Sequence, residues 1–266
     1  MQLDAKKIIL TGAASGIGRA LLTQLAQYEC QIMAVDRQLD PLQAAIQAIA
    51  LPKAQIVPYV CDLSQVAQVD QLFEAAIAQM GQIDLFIANA GFAYYEVLDQ
   101  PDWERMERLF QVNVYSPIYS AVKMRQLYGN QPYKVVITAS TMGHLAIAGY
   151  ALYAATKAAL HRFAEGYRQE LDDPRKLMLV YPIATRTGFF EQASQAKRPY
   201  TPIPSQTPDY VAGHILQGIL KDRQAVYTSH AFRLLSLLER PFPPLRRLPQ
   251  WAEQINLWRW RRRSQA

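Results

Sequence analysis

The chain has 266 residues, half of them hydrophobic and 19% charged, which excludes a disordered, collagenous or coiled-coil polypeptide and suits one globular α/β unit. Two cysteines, Cys30 and Cys61, exclude a disulfide framework. With no secretory leader pattern and no apolar run of about 18 residues, the expectation is a reducing cytoplasm and no spanning helix. The net charge of +6 is uneven, because residues 221–266 hold ten Lys/Arg against three Asp/Glu and the preceding 220 residues hold eighteen against nineteen.

In chain order, periodicity predicts a strand over 6–10, a glycine-rich turn, and a helix through Leu21, Leu22 and Leu25. The alternation continues with strand 31–35, helix 41–49, strand 55–60, helix 66–80 and strand 83–88. A long helical stretch over 103–128 precedes strand 134–139, helix 150–171 and strand 176–181. Strands separated in this way by helices predict a single-domain, doubly wound parallel sheet, Rossmann-like, with helices on both faces. Residues 188–208 break the rhythm with Pro199, Pro202 and Pro204, and read as a lid at the ligand crevice. Helix 209–220 and strand 225–227 resume the pattern, so residues 1–228 read as the catalytic domain. Residues 229–266 form a basic, aromatic appendage: a helix over 231–238, a break at Pro241, Pro243 and Pro244, and an arginine-rich end.

The first strand hands over to the first helix through Thr11-Gly12-Ala13-Ala14-Ser15-Gly16-Ile17-Gly18. Glycines there let the backbone approach a pyrophosphate, which sits on the positive end of the helix. Asp36 ends the second strand 18 residues beyond Gly18, where a carboxylate accepts both hydroxyls of an adenosine ribose and repels a 2′-phosphate. That favours NAD, while the adjacent Arg37 suits the 2′-phosphate of NADP and keeps it open.

Tyr153 and Lys157 stand at i and i+4 on a helical segment, one turn apart on one face. A neighbouring ammonium stabilises a phenolate and lowers the phenol pKa, so the pair is a candidate acid/base for an alcohol oxygen. Ser140, at the carboxyl end of a strand, offers a hydroxyl to hold the same oxygen.

The glycine turn, Ala88-Asn89-Ala90-Gly91, Asn113, Ser140 and Tyr153-x-x-x-Lys157 together resemble the classical short-chain dehydrogenase/reductase family. The resemblance implies that Tyr153 is the general acid/base and that Lys157 lowers its pKa and holds the nicotinamide ribose. It further implies that Ser140 orients substrate and that Asn113 anchors a water linking Lys157 to solvent. Gly12, Ser15, Gly16, Ile17 and Gly18 would hold the pyrophosphate. Asp62 with Leu63 would meet the adenine, and Asn89, Ala90 and Gly91 would pack on the adenosine half. The family's Pro-Gly is here Pro182-Ile183; since Ile resists positive φ, an altered nicotinamide pocket is expected, with Thr187 on the carboxamide. A homodimer or homotetramer through the long helices also follows from the resemblance.

Phe92, Tyr94, Tyr95, residues 144–150, Phe189 and Phe190 are candidate pocket walls, suited to a lipophilic secondary alcohol, ketone or aldehyde. For His144 the competing reading is an ordinary loop histidine, and for Arg105 and Arg108, set among Glu104 and Glu107, a solvated helix face. His and Cys spacings give no metal site, and no nucleic-acid motif accompanies the basic residues. Trp251, Leu257, Trp258 and Trp260 interleave with Arg246, Arg247, Arg259, Arg261, Arg262 and Arg263, which fits either peripheral contact with an anionic membrane or a solvated end. The function expected is a nicotinamide-dependent oxidoreductase. The alternative, a non-catalytic nucleotide-binding or membrane-associated protein, has no use for a Ser140, Tyr153, Lys157 and Asn113 set.

Overall fold

The computed structural model describes residues 1–193 and 204–238. The first strand, β1 (Lys7–Thr11), is buried at its last four positions, as a strand covered on both faces should be. The glycine turn and α1 (Gly16–Leu25) follow, then β2 (Gln31–Asp36), α2 (Leu39–Gln47), β3 (Gln55–Val60), α3 (Val66–Met80) and β4 (Leu85–Ala88). The second half runs α4 (Trp103–Phe110), α5 (Ser116–Tyr128), β5 (Lys134–Thr138), α6 (Ala151–Glu170), β6 (Leu177–Tyr181) and α7 (Phe189–Ala193). It ends with α8 (Pro208–Leu220), β7 (Ala225–Tyr227) and α9 (His230–Leu238).

All seven strands pair in parallel in the order β3-β2-β1-β4-β5-β6-β7. Alternate residues of each strand enter two separate cores. Ile8, Leu10, Ile32 and Ala34 pack with Leu21, Leu22 and Leu25 of α1, Leu42 of α2, and Val211 and Ile215 of α8. On the opposite face Ile9, Met33 and Val35 pack with Leu72 and Phe73 of α3, Met124 of α5 and Leu160 of α6. Strand order reverses between β1 and β4, so a crevice opens beyond their carboxyl ends.

The doubly wound sheet is therefore the predicted one, with two differences of substance. The stretch expected as a single helix is two helices joined by a π-turn over Gln111–Tyr115, with Asn113 inside it. Inside the expected lid, Phe189–Ala193 forms a short helix and Thr185 bridges to Gln206; the lid's residues 194–203 lie outside the described residues. Residues 239–266 lie outside them too, and with them the tryptophans and most arginines of the basic appendage.

Candidate active site

At the mouth of the crevice Gly12 and Gly16 take positive φ values of 68° and 53°, which the handover from strand to helix demands. A Cβ on Gly12 would lie 2.9 Å from the Ala90 backbone, and one on Gly18 would lie 1.8 Å from the Gly12 carbonyl oxygen. Asn89 ties the two loops together: its Nδ2 donates to the carbonyls of Thr11 and Gly12, while Thr11 Oγ1 accepts the amides of Asn89 and Ala90. Asp36 closes the same corner, accepting the Ala14 amide at 3.1 Å and the Arg37 amide at 2.8 Å.

A cleft of about 470 Å³ runs from this turn across the sheet. It is lined by Gly12, Ser15, Gly16, Ile17, Asp36, Arg37, Asp62, Leu63, Asn89, Ala90, Gly91, Ser140, Tyr153, Lys157, Pro182 and Thr187. Sequence positions far apart are thus brought together along one trough. Gly18 and Asn113 are set back from it: Gly18 serves the turn, and Asn113 is buried behind Phe92. The Asn113 amide brackets Phe92, accepting from its N–H at 3.1 Å and donating to its carbonyl at 2.9 Å, and donates also to Thr156 Oγ1. Gly91 leaves room between Asn113 Oδ1 and the Lys157 ammonium, at 3.2 and 3.6 Å from where its Cβ would stand.

Tyr153 and Lys157 project from α6 into the floor of the cleft, both deeply buried. Lys157 Nζ donates to the Thr138 carbonyl at 2.9 Å and lies 5.5 Å from the centre of the Tyr153 ring. Burial pushes the Lys157 ammonium down to about 7. Burial likewise drives the Tyr153 phenol upward, against a weaker pull from its hydrogen bond with Ser140. The sequence predicts a lowered phenol; here loss of hydration outweighs the Ser140 hydrogen bond, and the phenol is raised instead.

Ser140 opens a single 3-10 turn over Thr141–Gly143, its hydroxyl accepting the Met142 amide at 3.1 Å. Thr141 N donates to the Pro182 carbonyl, joining this turn to the one after β6. Ile183 fits that second turn at negative φ, since the positive-φ non-glycine residues are Ala5, Leu51 and Asp222 among those described. The turn therefore does without the positive φ that a glycine would permit at this position. Thr187 stands across the cleft against Gly16, 3.0 Å from where a Cβ would be.

At the other end, burial pulls the Asp62 carboxyl upward, but bonds from the Ser64 amide and hydroxyl, with Arg108 and Arg37 nearby, outweigh it and hold the group below its ordinary value. Arg108 lines the cleft, and the Arg105 guanidinium lies 3.5 Å from the Tyr94 ring centre while pairing with Glu96 at 2.9 Å. Arg108, exposed as the sequence reading has it, also borders the cleft, and the partly exposed Arg105 braces one of its walls. Phe92, Tyr94, Phe189 and Phe190 line the cleft as expected, joined by Met142, Val112 and Gln192, which no sequence signal marked. Tyr95 and Tyr150 instead pack on each other beneath Tyr153, ring centres 4.7 Å apart. His144 does not line the cleft; it is a loop histidine in the turn after Gly143, with its ring packed on His161.

Residues 6–198 match the family profile described as short chain dehydrogenase. The chain belongs to the short-chain dehydrogenase family. Among curated relatives of this short-chain dehydrogenase, the 1-deoxy-11-beta-hydroxypentalenate dehydrogenase of Streptomyces avermitilis is 30% identical, the match covering 86% of each chain. Among solved structures, a short chain dehydrogenase/reductase from Burkholderia phymatum in complex with NAD is similar at TM-score 0.78 and 23% identity, covering 92% of this chain and 96% of the other. A short-chain dehydrogenase from Sphingobium yanoikuyae in complex with NADPH is similar at TM-score 0.75 and 22% identity, covering 89% and 93%. Membership makes this chain an NAD(P)-dependent oxidoreductase. Its own residues fit such a cofactor: a turn closed to any side chain at Gly12 and Gly18, a carboxylate at Asp36, and a buried amine at Lys157.

Proposed function

We propose that this short-chain dehydrogenase interconverts a bulky lipophilic secondary alcohol and its ketone, with NAD as the preferred cofactor. The observation that carries the reading is the convergence of Ser140, Tyr153 and Lys157 at the floor of a cleft whose outer walls are Phe92, Tyr94, Met142, Phe189 and Phe190. Such walls suit an apolar body, and the polar floor suits one oxygen.

The cofactor, when bound, supplies or accepts the hydride. In reduction the Tyr153 hydroxyl, kept protonated by its burial, donates to the carbonyl oxygen that Ser140 also holds. In oxidation Tyr153 receives the alcohol proton, and a charged Lys157 close by stabilises the resulting phenolate. Asn113 Oδ1 and the Lys157 ammonium both border the space beside Gly91, where Asn113 anchors a water through which Lys157 exchanges its proton with solvent. Asp36 favours NAD because both carboxylate oxygens already accept backbone amides, which fixes the charge where a 2′-phosphate would stand. Tyr115, Tyr119 and Val122 lie exposed on one face from the π-turn into α5, which supports a homodimer through this face.

The test is a screen of NADH and NADPH oxidation with lipophilic ketones and aldehydes. Turnover with NADH exceeding that with NADPH is expected; no turnover with either cofactor across the panel rejects the reading.

A further inference from the structure

Between β6 and α8 the chain leaves the sheet, supplies Thr187, Phe189 and Phe190 to the cleft, and returns at Gln206. Thr185 and Gln206 form a parallel bridge, in which the Gln206 amide donates to the Ala184 carbonyl and the Arg186 amide donates to the Gln206 carbonyl, both at 2.8 Å. The Gln206 side chain makes a second pair of bonds, to Thr228: Nε2 donates to the Thr228 carbonyl at 2.8 Å, and Oε1 accepts from the Thr228 hydroxyl at 2.6 Å. The outgoing and returning limbs are thus knotted at one half-buried residue.

Both sides of that knot are anchored in the packed domain. Thr228 is 1% exposed, and its amide donates to the Tyr181 carbonyl at the end of β6. On the other side Thr207 accepts the Tyr210 amide and caps α8, whose Asp209 carbonyl accepts from Gln24 of α1 at 3.1 Å. The bonds between Gln206 and Thr228 lie outside the pairing of β6 with β7, which ends at Tyr181 and Tyr227, and α8 carries its own cap. Sheet and helix are complete without them; the part they hold is the segment that walls the cleft.

From the bridge the placement passes on through short local bonds. The Thr187 hydroxyl donates to the Thr185 carbonyl at 3.4 Å and accepts the Phe189 amide at 3.2 Å. The Phe189 ring then meets the Tyr153 ring edge-on, with centres 5.5 Å apart, and Phe190 meets Tyr150 at 6.3 Å. A glutamine amide presents a donor and an acceptor in one plane, and Thr228 presents an acceptor and a donor to match them. Removing the Thr228 hydroxyl leaves Gln206 Oε1 without its partner, and removing the amide leaves both Thr228 groups so.

We propose that Gln206 and Thr228 are positioning residues for the reaction: their paired bonds lock the neck of this segment and, through Thr185 and Thr187, set the Phe189 ring beside Tyr153. The ring in turn fixes where the apolar body of the substrate lies relative to the Tyr153 hydroxyl. This rests on the proposed ketone reduction.

The experiment measures reductive kcat and KM per active site in the full chain for wild type, Gln206→Ala, Thr228→Val and Thr228→Ser. The ketone KM is expected to rise about fivefold or more in Gln206→Ala and in Thr228→Val, as loss of a partly buried hydrogen bond implies, with a smaller fall in kcat. Thr228→Ser keeps the hydroxyl and should stay within about twofold of wild type. A role confined to stability would lower the thermal midpoint and leave KM where it is, so an unchanged KM in Thr228→Val overturns the proposal, as does a Thr228→Ser variant no better than Thr228→Val. Independently of turnover, amide hydrogen exchange over residues 183–193 should quicken about fivefold or more in Thr228→Val while exchange over α6 stays as in wild type. Unchanged exchange over 183–193 overturns the lock. A wild type that reduces no ketone rejects the proposed function instead, and the exchange measurement then decides the lock alone.

Discussion

The end of the cleft proposed for the adenosine is built from charges near water, whereas the end proposed for the reaction is built from polar groups deprived of it. Asp36, Arg37, Asp62 and Arg108 stand at the first, and Asp62 owes its lowered pKa to bonds from Ser64 that outweigh its partial burial. At the second, burial alone moves Lys157 down to about 7 and Tyr153 upward. One end recognises a ligand by charge already present. The other holds two groups whose charges are costly until a ligand arrives, which is how a proton donor stays loaded near neutral pH.

The sharpest way to separate the two ends is Tyr153→Phe, expected to lower turnover by about 10²- to 10⁴-fold while NADH binding, read by fluorescence, stays within about twofold. Loss of both together would mean that the ends are not independent. Gly18→Ala should do the reverse, because its methyl would fall 1.8 Å from the Gly12 carbonyl oxygen. The turn must then rebuild, and cofactor binding is expected to weaken by more than about 2 kcal/mol, measured by calorimetry. Asp36→Asn keeps the shape but removes the charge, and is expected to lower NAD affinity by about 1.5 kcal/mol while narrowing the preference over NADP. Equal loss for the two cofactors would break the charge-recognition half of the comparison.

Burial at the reacting end also has a pH signature. The folded-state pKa of Lys157, about 7, lies below that of an unfolded lysine, so between the two values the unfolded chain binds the extra proton and stability gains from rising pH. Wild type should therefore show a more positive change in thermal midpoint from pH 6.5 to pH 9 than Lys157→Met. Parallel curves would place Lys157 in a wetter site than the one described. The smallest expected effect is that of Arg105→Ala: the guanidinium braces Tyr94 and pairs with Glu96 at a partly exposed site, so KM should rise about twofold, within about 1 kcal/mol, with kcat unchanged.

The sheet was legible in the sequence because its strands are short apolar runs with glycine or charge at their ends, and a doubly wound order follows from their alternation with helices. That Gly12, Asp36, Tyr153 and Lys157 belong to one cleft was legible because the proposed role of each demands a residue type at a fixed local spacing. The π-turn around Asn113 was not, since one extra residue in a helical turn leaves the apolar period almost intact. Gln192, Met142 and Arg108 reach the cleft by tertiary placement alone, and the helical period read Arg108 correctly as an outward position without revealing that the cleft lay outside it. The direction of the Tyr153 shift depended on how dry the site is, which spacing does not encode.

Gly143 has a consequence for how this enzyme could be remodelled. A Cβ there would meet the Lys157 carbonyl oxygen at 2.7 Å, so the serine's turn and the helix of the tyrosine and lysine lie backbone against backbone, with no side chain between them to absorb a shift. The proposed catalytic groups from two separate segments are in effect one rigid part. New substrate walls grafted onto this scaffold should begin beyond His144 or in the loop after Pro182, and a graft that replaces residue 143 would move the machinery rather than the pocket.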